Sequence, residues 1–323
     1  MIWLWMLACS PTPATCSASG TALGTSWSAR WVAPSPGGCD DALEGVLAER
    51  LRGVADRMDL WSHSDSELHR VRQSTDPVVV SEETWETTRV ALHLASISGG
   101  AFDPTVEPLV RAWGFHLGPP ERPSDQALAE ALQHVGWERV TLGRSPDGPW
   151  IDADDAALDL SAVLEGHAAD ELSALLSEAE LANHLVDVGG ELRVAGERAA
   201  GGPWRLGLDV APGAPGSDLV VRLTHGALAT AHRHQTHLDG GAPVHGKLDP
   251  ATGELVDSPV RTVAVIAPDA RLADGLATAV VLLGEEEGLR LLERQPHTEG
   301  LIFVEGDAAP RLTRGMNARL DRP

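Results

Sequence analysis

Apolar side chains recur every three to four residues in several segments of the chain, which is the spacing of helices with one buried face. Residues 40–60 begin with an Asp that can cap a helix and carry such a stripe, made of Leu43, Val46, Leu47, Leu51, Val54, Ala55 and Met58. Residues 81–98 predict a second helix, whose inner face is expected to hold Trp85, Val90, Leu92, Leu94 and Ile97. Further helices are predicted over residues 124–136, 161–178 and 272–283.

Other segments alternate apolar and polar residues, or are short and apolar, and these predict strands. Residues 21–31 alternate well and are expected to open the fold as one strand. Residues 150–152 and 157–160 are interpreted as a strand pair. Further strands are predicted over residues 184–188, 204–209, 219–223 and 261–267. Because no break in composition separates these elements, we expect a single folded domain.

The composition is that of a folded protein with an acidic surface. Of the 323 residues, 43% are hydrophobic, which is ample for a packed core. The formal net charge is −22 and the sequence contains no basic run, so the phosphates of a nucleic acid would be repelled. We therefore expect no nucleic-acid partner.

The N-terminus has features of an export signal. Residues 1–8 are apolar but too few to span a bilayer, and small Ala8 precedes Cys9 as in a bacterial lipoprotein cleavage site. Because no Lys or Arg precedes the apolar run, a cytoplasmic chain stays as the alternative to a lipoprotein anchored in the cell envelope through Cys9. With Cys9 lipidated, Cys16 and Cys39 are left as a possible pair. We divide the chain into a signal and tether over 1–20, a domain over 21–310 and a tail over 311–323.

A histidine-rich region follows the strands, with His225, His232, His234, His237 and His245. On a strand His232 and His234 would share one face, so a transition-metal site is one interpretation and a solvated loop is the other. Residues 241–248 imitate a phosphate-binding P-loop, but Leu248 lacks the hydroxyl that this motif needs after its lysine. We therefore exclude a P-loop.

A carboxylate and a hydroxyl stand four residues apart in the apolar helix predicted over 272–283. Asp274 and Thr278 share one face of that helix and need partners if they are buried. Two oxygens on one helical turn suit Mg²⁺, which takes oxygen ligands and is commonly shared with phosphate. The alternative is a helix-dipole role for Asp274 and a bond from Thr278 back to a backbone carbonyl.

The segment Gly99-Gly100-Ala101-Phe102-Asp103-Pro104 is rigid and, taken alone, is an ordinary turn. Four further motifs follow it in order: Leu158-Asp159-Leu160, Val188-Gly189-Gly190-Glu191-Leu192-Arg193, Asp249-Pro250-Ala251-Thr252-Gly253 and Leu272-Ala273-Asp274-Gly275-Leu276-Ala277-Thr278-Ala279. The ordered set resembles the ApbE-type flavin transferases, the FAD:protein FMN transferases. The resemblance spans about residues 20 to 305.

This resemblance implies one α+β domain of largely antiparallel strands with packed helices. It implies that FMN is transferred from FAD to a Thr hydroxyl of a target flavoprotein, with Mg²⁺ bound and AMP released. Asp274 is then catalytic and a metal ligand, with Thr278 and the backbone carbonyl of Leu164 completing the protein side of the metal site. The residues expected to contact FAD are Trp61, Ala101, Phe102, Asp103, Glu165, Gly189, Gly190, Thr230 and His245.

The sequence departs from the family pattern at three places. Leu164-Glu165-Gly166-His167 stands where family members usually have Ala-Lys-Gly-Tyr, which reverses a charge near the diphosphate. Ala231-His232 replace a Ser-Gly pair, and His245 lies one position further from Asp249. Three alternatives therefore stay open: a flavin-binding relative that no longer transfers FMN, an enzyme that hydrolyses FAD to FMN and AMP, and a metal-binding His loop.

Overall fold

The computed structural model describes residues 14–35, 38–61, 64–115, 119–208, 219–233, 236–237, 243–244 and 246–321. The α-helices are α1 (Ala42–Met58), α2 (Glu67–Gln73), α3 (Glu82–Ile97), α4 (Glu107–Ala112), α5 (Asp125–Leu132), α6 (Ser161–Glu178), α7 (Ala270–Leu283) and α8 (Glu285–Arg294). The strands are β1 (Thr15–Ala22), β2 (Thr25–Val32), β3 (Val78–Val79), β4 (Thr141–Ser145), β5 (Gly148–Asp152), β6 (His184–Val188), β7 (Glu191–Ala195), β8 (Trp204–Gly207), β9 (Val220–Leu223), β10 (His225–His232), β11 (Thr236–His237), β12 (Pro243–Val244), β13 (Val260–Ala267), β14 (Glu299–Val304), β15 (Arg311–Leu312) and β16 (Leu320–Asp321).

An eight-stranded sheet organises the molecule. Its strand order is β1-β2-β6-β7-β10-β13-β14-β15, and every neighbouring pair is antiparallel. Two smaller antiparallel sheets have the orders β16-β9-β8 and β3-β5-β4, and β11 pairs with β12. These observations confirm the expected α+β domain with largely antiparallel strands.

The large sheet is buried on both faces because its strands alternate between two cores. On β10, Ala227 and Ala229 face the helical side, where α1, α6, α7 and α8 pack, whereas Leu228 faces the sheet β16-β9-β8. The same parity holds on β13, where Val265 faces the helices and Ile266 the second sheet. Within the described ranges no helix combines the length and the apolar character needed to cross a bilayer.

The single strand expected over 21–31 is a β-hairpin instead. β1 and β2 pair along their whole length, and Leu23 and Gly24 form the turn with φ angles of 53° and 74°. A two-residue turn with both residues left-handed matches the twist of the flanking strands. The alternation of apolar and polar residues continues through this turn. For that reason the sequence predicts one strand in this region. The boundary drawn at residue 21 therefore falls inside β1, and β15 and β16 lie beyond residue 310.

Residues 150–152 and 157–160 do not pair with each other, so that prediction was wrong. β5 pairs with β3 and β4, whereas Ala157 forms an isolated parallel bridge to Val106. Asp154 and Asp155 adopt left-handed φ angles of 41° and 64° and turn the chain away from β5. The backbone N–H of Asp159 then donates to the Pro104 carbonyl at 2.7 Å. This bond joins two of the sequence motifs in one place.

The inner face of α3 differs from the predicted one. Of the predicted inward residues only Leu94 is buried, and the rest of the buried face is built from small residues: Thr84, Thr87, Thr88, Ala91 and Ala95. Small side chains let α3 come close to its neighbours, and a Cβ placed on Gly275 of α7 would lie 2.2 Å from Leu94 Cδ1. The other predicted residues, Trp85, Val90, Leu92 and Ile97, are partly buried and pack at the edge of the core.

Cys16 and Cys39, the two cysteines left as a possible pair by the sequence, are joined in a disulfide. The bond ties the edge strand β1 to the segment that precedes α1.

Candidate active site

The five motifs singled out in the sequence all contribute residues to one cavity of about 370 Å³. Its walls come from residues 101–103, the first turns of α6, the turn between β6 and β7, the end of β10, residues 246–250 and one face of α7. Segments that are far apart in the chain meet here because α6 and α7 both pack on the helical face of the large sheet. The cavity is the place where the chemistry predicted from the sequence is brought together.

Contact between α6 and α7 depends on Gly166. A Cβ at this position would lie 2.3 Å from the carbonyl oxygen of Ala270, so no side chain fits between the two backbones. Asp170, one turn further along α6, accepts hydrogen bonds from Ala270 N at 2.9 Å and from Arg271 N at 3.0 Å. The first turn of α7 is thereby fixed, and Asp274 Oδ2 accepts from Gly166 N at 3.2 Å.

Five carboxylates line the cavity, those of Asp103, Asp159, Glu165, Glu191 and Asp274. The last three attract the ammonium of Lys247 and are here called the cavity carboxylates. Asp274 is 7% exposed and Glu191 is 5% exposed. Burial, followed by the negative charge of Glu165, raises the pKa of Asp274 well above its usual range. Burial, followed by the charge of Asp274, does the same to the pKa of Glu191. Glu165 thus makes ionisation of Asp274 less favourable, and Glu165 and Asp274 both make ionisation of Glu191 less favourable.

Glu191 leaves one oxygen unsatisfied. The backbone N–H of Thr230 donates to its carboxylate, but its Oε2 has no hydrogen-bond partner in the described part of the chain. A buried carboxylate oxygen without a partner is costly, and a bound cation would satisfy it. Thr278, one turn after Asp274 on α7, is also buried and lines the same cavity. The donor set therefore fits a hard divalent ion, which prefers oxygen ligands.

Lys247 brings a positive charge to the cavity wall. Burial lowers the pKa of its ammonium, and attraction to Asp274, Glu191 and Glu165 opposes that change. Glu165 has a raised pKa because of burial, and Lys247 counteracts the rise. One ammonium thus stands against three carboxylates.

The turn after β6 has the backbone geometry expected from its glycines. Gly189 and Gly190 have φ angles of 65° and 103°, and Gly190 N donates to Asp187 Oδ1 at 3.0 Å. Gly189 lines the cavity, and a Cβ placed on it would lie 3.2 Å from the Glu165 carboxyl group. The turn therefore leaves room for Glu165 or a ligand close to the backbone.

The first motif contributes Ala101, Phe102 and Asp103 to the cavity wall. The carboxylate of Asp103 is occupied locally, because its Oδ1 accepts from Thr105 N at 2.8 Å and its Oδ2 from Trp137 N at 3.2 Å. Burial raises the pKa of Asp103 despite these bonds. Its role visible in the structure is to hold the loop that presents Phe102 and Ala101.

Of the remaining predicted site residues, Thr230 lines the cavity. Trp61, Gly190 and Leu164 are not among the described residues that line it. The Trp61 ring lies under the guanidinium of Arg111, with 5.4 Å to the ring centroid. Leu164 is buried in α6 directly before Glu165, and His245 lies outside the described residues.

The structure places five residues at the cavity that were not among the expected FAD and metal contacts: Asp159, Ser161, Glu191, His232 and Lys247. Asp159 and Glu191 belong to motifs singled out in the sequence, and His232 was a candidate ligand of a transition metal. Glu191 follows the Gly189-Gly190 turn directly, and that position was the available signal. Asp159 accepts from Ser161 N at 2.9 Å and so orders the start of α6. His232 Nδ1 lies 3.1 Å from Thr262 Oγ1 on the neighbouring strand.

A second group of potential metal ligands, Glu83, His167 and Glu171, lies on the far side of α6. Arg50 Nη2 is 2.8 Å from Glu83 Oε1 and 2.7 Å from Glu171 Oε2. His167 Nε2 is 2.7 Å from Glu83 Oε1. We call these four residues the ion-pair cluster, because an arginine already neutralises the carboxylates.

The chain is similar to known proteins over most of its length. The ApbE family matches residues 23–302. The FAD:protein FMN transferase of Vibrio cholerae serotype O1 is 31% identical over 287 residues, which cover 85% of this chain and 83% of that protein. The FAD:protein FMN transferase of Escherichia coli K12 is 31% identical over 301 residues, which cover 90% and 84%. The solved structure of the flavin transferase ApbE from Vibrio cholerae matches with a TM-score of 0.80 at 28% identity, over 95% of this chain and 99% of that chain.

Proposed function

Because this chain belongs to the ApbE family, we propose that it transfers FMN from FAD to a Thr hydroxyl of a target flavoprotein, with Mg²⁺ bound and AMP released. The related proteins are named as FAD:protein FMN transferases, so the general class of this chain is a transferase. The metal, the acceptor group and the leaving group are the parts of the proposal that require a physical argument.

The observation that carries the proposal is the buried carboxylate of Asp274 among the other cavity carboxylates. Like charges buried together are unfavourable unless a cation joins them. Asp274 and Thr278 present oxygens from one face of α7. These two side chains and the backbone carbonyl of Leu164 would hold Mg²⁺.

In the proposed reaction the hydroxyl oxygen of the acceptor Thr attacks the phosphorus of the FMN half of FAD. A new phosphorus–oxygen bond to the Thr forms. The bond from that phosphorus to the oxygen shared with the AMP half breaks, and AMP leaves with the bonding electron pair. Asp274 accepts the proton of the attacking hydroxyl. When bound, Mg²⁺ supplies positive charge that neutralises the diphosphate.

The flavin nucleotide is proposed to lie along the cavity wall formed by the first motif and the β6–β7 turn. Phe102 and Ala101 offer apolar surface, and Gly189 leaves space for close approach to backbone groups. Thr230 adds a polar side chain at the end of β10. Trp61 and His245 stay predicted contacts, and the first of them would have to reach the flavin from outside the described wall.

The disulfide between Cys16 and Cys39 supports an oxidising compartment for this domain. Disulfides form and persist in secreted and periplasmic proteins and are rare in the cytosol. We propose that the chain is exported and held at a membrane of the cell envelope by a lipid on Cys9. Cys9 itself lies outside the described residues.

One incubation tests the reaction. The purified chain is mixed with FAD, Mg²⁺ and a flavoprotein domain that contains an acceptor Thr, and the products are separated. Transfer is expected to yield acceptor with covalent FMN and an equal amount of AMP. The matched control is the same acceptor with its Thr changed to Val, which should stay unlabelled while FAD is conserved.

The same incubation distinguishes the two alternative activities. Free FMN and AMP in equal amounts, with an unlabelled acceptor, would identify hydrolysis by water in place of transfer. Unchanged FAD, together with FAD binding, would identify a relative that binds flavin without turnover. Either outcome would overturn the proposed transfer.

The anchoring is tested by fractionation. Expressed in a bacterial host, the full chain should partition with membranes, whereas Cys9→Ser should be released or left unprocessed because no thiol is available for lipidation. Cys39→Ser is the matched control, since it removes a cysteine without touching the cleavage site. Equal cytoplasmic yield of the full chain and of Cys9→Ser would contradict the assignment.

A further inference from the structure

The cavity wall contains the only lysine of the chain. The sequence has 25 Lys and Arg residues, and all of them except Lys247 are arginines. No arginine is among the described residues that line the cavity. Lys presents a compact ammonium on a flexible stem, whereas Arg presents a planar fork. Lys247 is therefore the one position at which this chain presents the compact ammonium of a lysine, and that position is at the cavity.

Lys247 is held in place through its backbone. Its carbonyl oxygen accepts a hydrogen bond from Val256 N at 2.9 Å. The next residue, Leu248, is buried among Leu109 and Trp113 and bridges to Leu255. With Leu248 packed into this cluster, Lys247 stands at the cavity wall.

Among the described residues that line the cavity, Lys247 is the only lysine or arginine that an anionic ligand can contact. Glu165, Glu191 and Asp274 would each repel a phosphate, and Lys247 attracts it. Asp274 is already assigned to the metal in the proposed function. On α6, where related proteins usually carry a lysine, Glu165 has the opposite charge.

We propose that Lys247 supplies the ammonium that holds the diphosphate of the flavin nucleotide, in place of a cationic side chain on α6. The inference rests on the proposed function, because it concerns the substrate of the same cavity. In the free protein Glu165 is a counter-charge to Lys247. When the nucleotide binds, its diphosphate becomes the closer anion, and Glu165 limits how tightly the nucleotide is held.

Binding of two flavins that differ in phosphate tests the inference without turnover. FAD carries the diphosphate and an adenosine, and riboflavin carries the same ring system and ribityl chain with neither. Lys247→Met is expected to weaken FAD binding at least about tenfold, the loss typical of a charge-assisted contact. Riboflavin binding should change less than about twofold, because it has no charge for the ammonium to contact. Flavin fluorescence quenching measures both.

Two variants serve as controls. Arg222→Met removes one positive charge from β9, on the opposite side of the large sheet, and should leave the affinities for FAD and riboflavin unchanged. Lys247→Arg keeps the charge but changes its shape, and should retain part of the FAD affinity. Circular dichroism and thermal unfolding check that Lys247→Met is folded.

A double-mutant cycle tests whether Lys247 takes the place of a cation on α6, at the position of Glu165. We call this replacement the exchange. Glu165→Lys puts a cation on α6, as in related proteins, and should tighten FAD binding. In that background Lys247→Met should cost less than about threefold, since the diphosphate already has a cation. A loss as large as in the parent chain would show that the two positions act independently and would overturn the exchange.

The single lysine also allows a direct spectroscopic readout. Reductive methylation with ¹³C-formaldehyde labels Lys247 and the α-amino group alone, because the chain has no other lysine. Titration with FAD should shift the dimethyl-lysine resonance, and riboflavin should leave it near its free position. Equal shifts with both flavins would place the ammonium against the ring system and overturn the inference.

Failure of the inference and failure of the proposed function look different. If the parent chain binds FAD and forms products while Lys247→Met binds FAD equally well, the function stands and the role of Lys247 is wrong. If Lys247→Met weakens riboflavin and FAD to the same extent, Lys247 packs the wall and does not contact phosphate. If the parent chain binds no FAD, the function and the inference fall together.

Discussion

Helix α6 carries carboxylates that lie in two different environments. The comparison distinguishes acids that stabilise the fold from acids that are proposed to bind a ligand. On one side Glu165 joins the cavity carboxylates, where one ammonium faces three acids. On the other side Glu171 joins the ion-pair cluster with Glu83, His167 and Arg50. Each group takes one glutamate from α6, the ion-pair cluster also takes His167 from this helix, and the other members come from neighbouring elements.

The pKa shifts of Glu83 in the ion-pair cluster and of Asp274 in the cavity have opposite directions. Burial alone would raise the pKa of Glu83, but hydrogen bonds from His167 and Arg50 and the charges of both lower it from 4.5 to about 2. In the cavity, burial raises the pKa of Asp274 and neighbouring acids raise it further. The carboxylates of the ion-pair cluster are paired with Arg50 and stabilise the fold. The cavity carboxylates are not fully paired with positive side chains and are expected to bind a metal ion.

The largest expected effect comes from Asp274→Asn. Asn keeps the shape but loses the charge, so FMN transfer should fall by about 10²-fold or more, where each factor of ten is about 1.4 kcal/mol. AMP release from FAD is measured across a Mg²⁺ titration. Glu171→Gln is the matched control, because it removes a carboxylate from the other side of α6 and should leave turnover unchanged. Matching Mg²⁺ curves for the parent chain and Asp274→Asn would place the metal elsewhere.

The second prediction concerns the free energy of unfolding, which is measured without turnover. If the cavity carboxylates bind Mg²⁺, an ion concentration of 100 times its Kd should stabilise the parent chain by about 2.7 kcal/mol. Asp274→Asn should lose most of this gain, whereas Glu83→Gln should keep it because the ion-pair cluster already has its cation. Urea unfolding with and without Mg²⁺ measures the difference. Equal stabilisation of all three proteins would indicate nonspecific binding to the acidic surface.

The third prediction is acid sensitivity at the ion-pair cluster. The folded-state pKa of Glu83 lies below its unfolded value, so its contribution is present above pH 4.5 and is lost as the pH falls towards 2. At pH 7 Glu83→Gln should cost about 1–3 kcal/mol after allowance for solvent screening. Urea unfolding from pH 7 down to pH 2.5 should show the difference from the parent chain shrinking below pH 4.5.

The control for this experiment is Glu171→Gln. Glu171 is more exposed than Glu83 and pairs with the same Arg50, so its replacement should cost less, within about 1 kcal/mol. A difference between Glu83→Gln and the parent chain that stays constant from pH 7 to pH 2.5 would mean that Glu83 acts through packing and not through its charge.

Much of the secondary structure follows from local patterns. The bounds of α6 and β6 agree with the sequence, because their apolar residues have an unbroken period and their ends are marked by turn residues. The hairpin at Leu23-Gly24 was missed because alternation continues through a turn whose first residue is a leucine. On α3 the predicted apolar residues pack against the core, but most of the fully buried positions hold Thr or Ala, because no single helix shows where its neighbour will pack.

Site residues could be predicted from the sequence where they belong to a short motif. They could not be predicted where the fold brings distant segments together. Gly189, Asp274 and Thr278 lie at the cavity as expected. Trp61 packs under Arg111 instead of lining the described wall, because the end of a helix does not determine which surface its next aromatic meets. Lys247 is brought to Glu165 by the fold alone, since 82 positions of sequence separate them.

The uniqueness of Lys247 also gives the cavity a built-in cleavage site. An endoproteinase that cuts only after lysine can divide this chain at a single bond, between residues 247 and 248. Leu248 is buried, so the protease must wait until this part of the wall opens. When opening and closing are fast relative to cleavage, the cutting rate reports the population of the open wall. A bound nucleotide would slow the cleavage. The amounts of the two fragments on a gel would then report the fraction of molecules whose cavity holds the nucleotide.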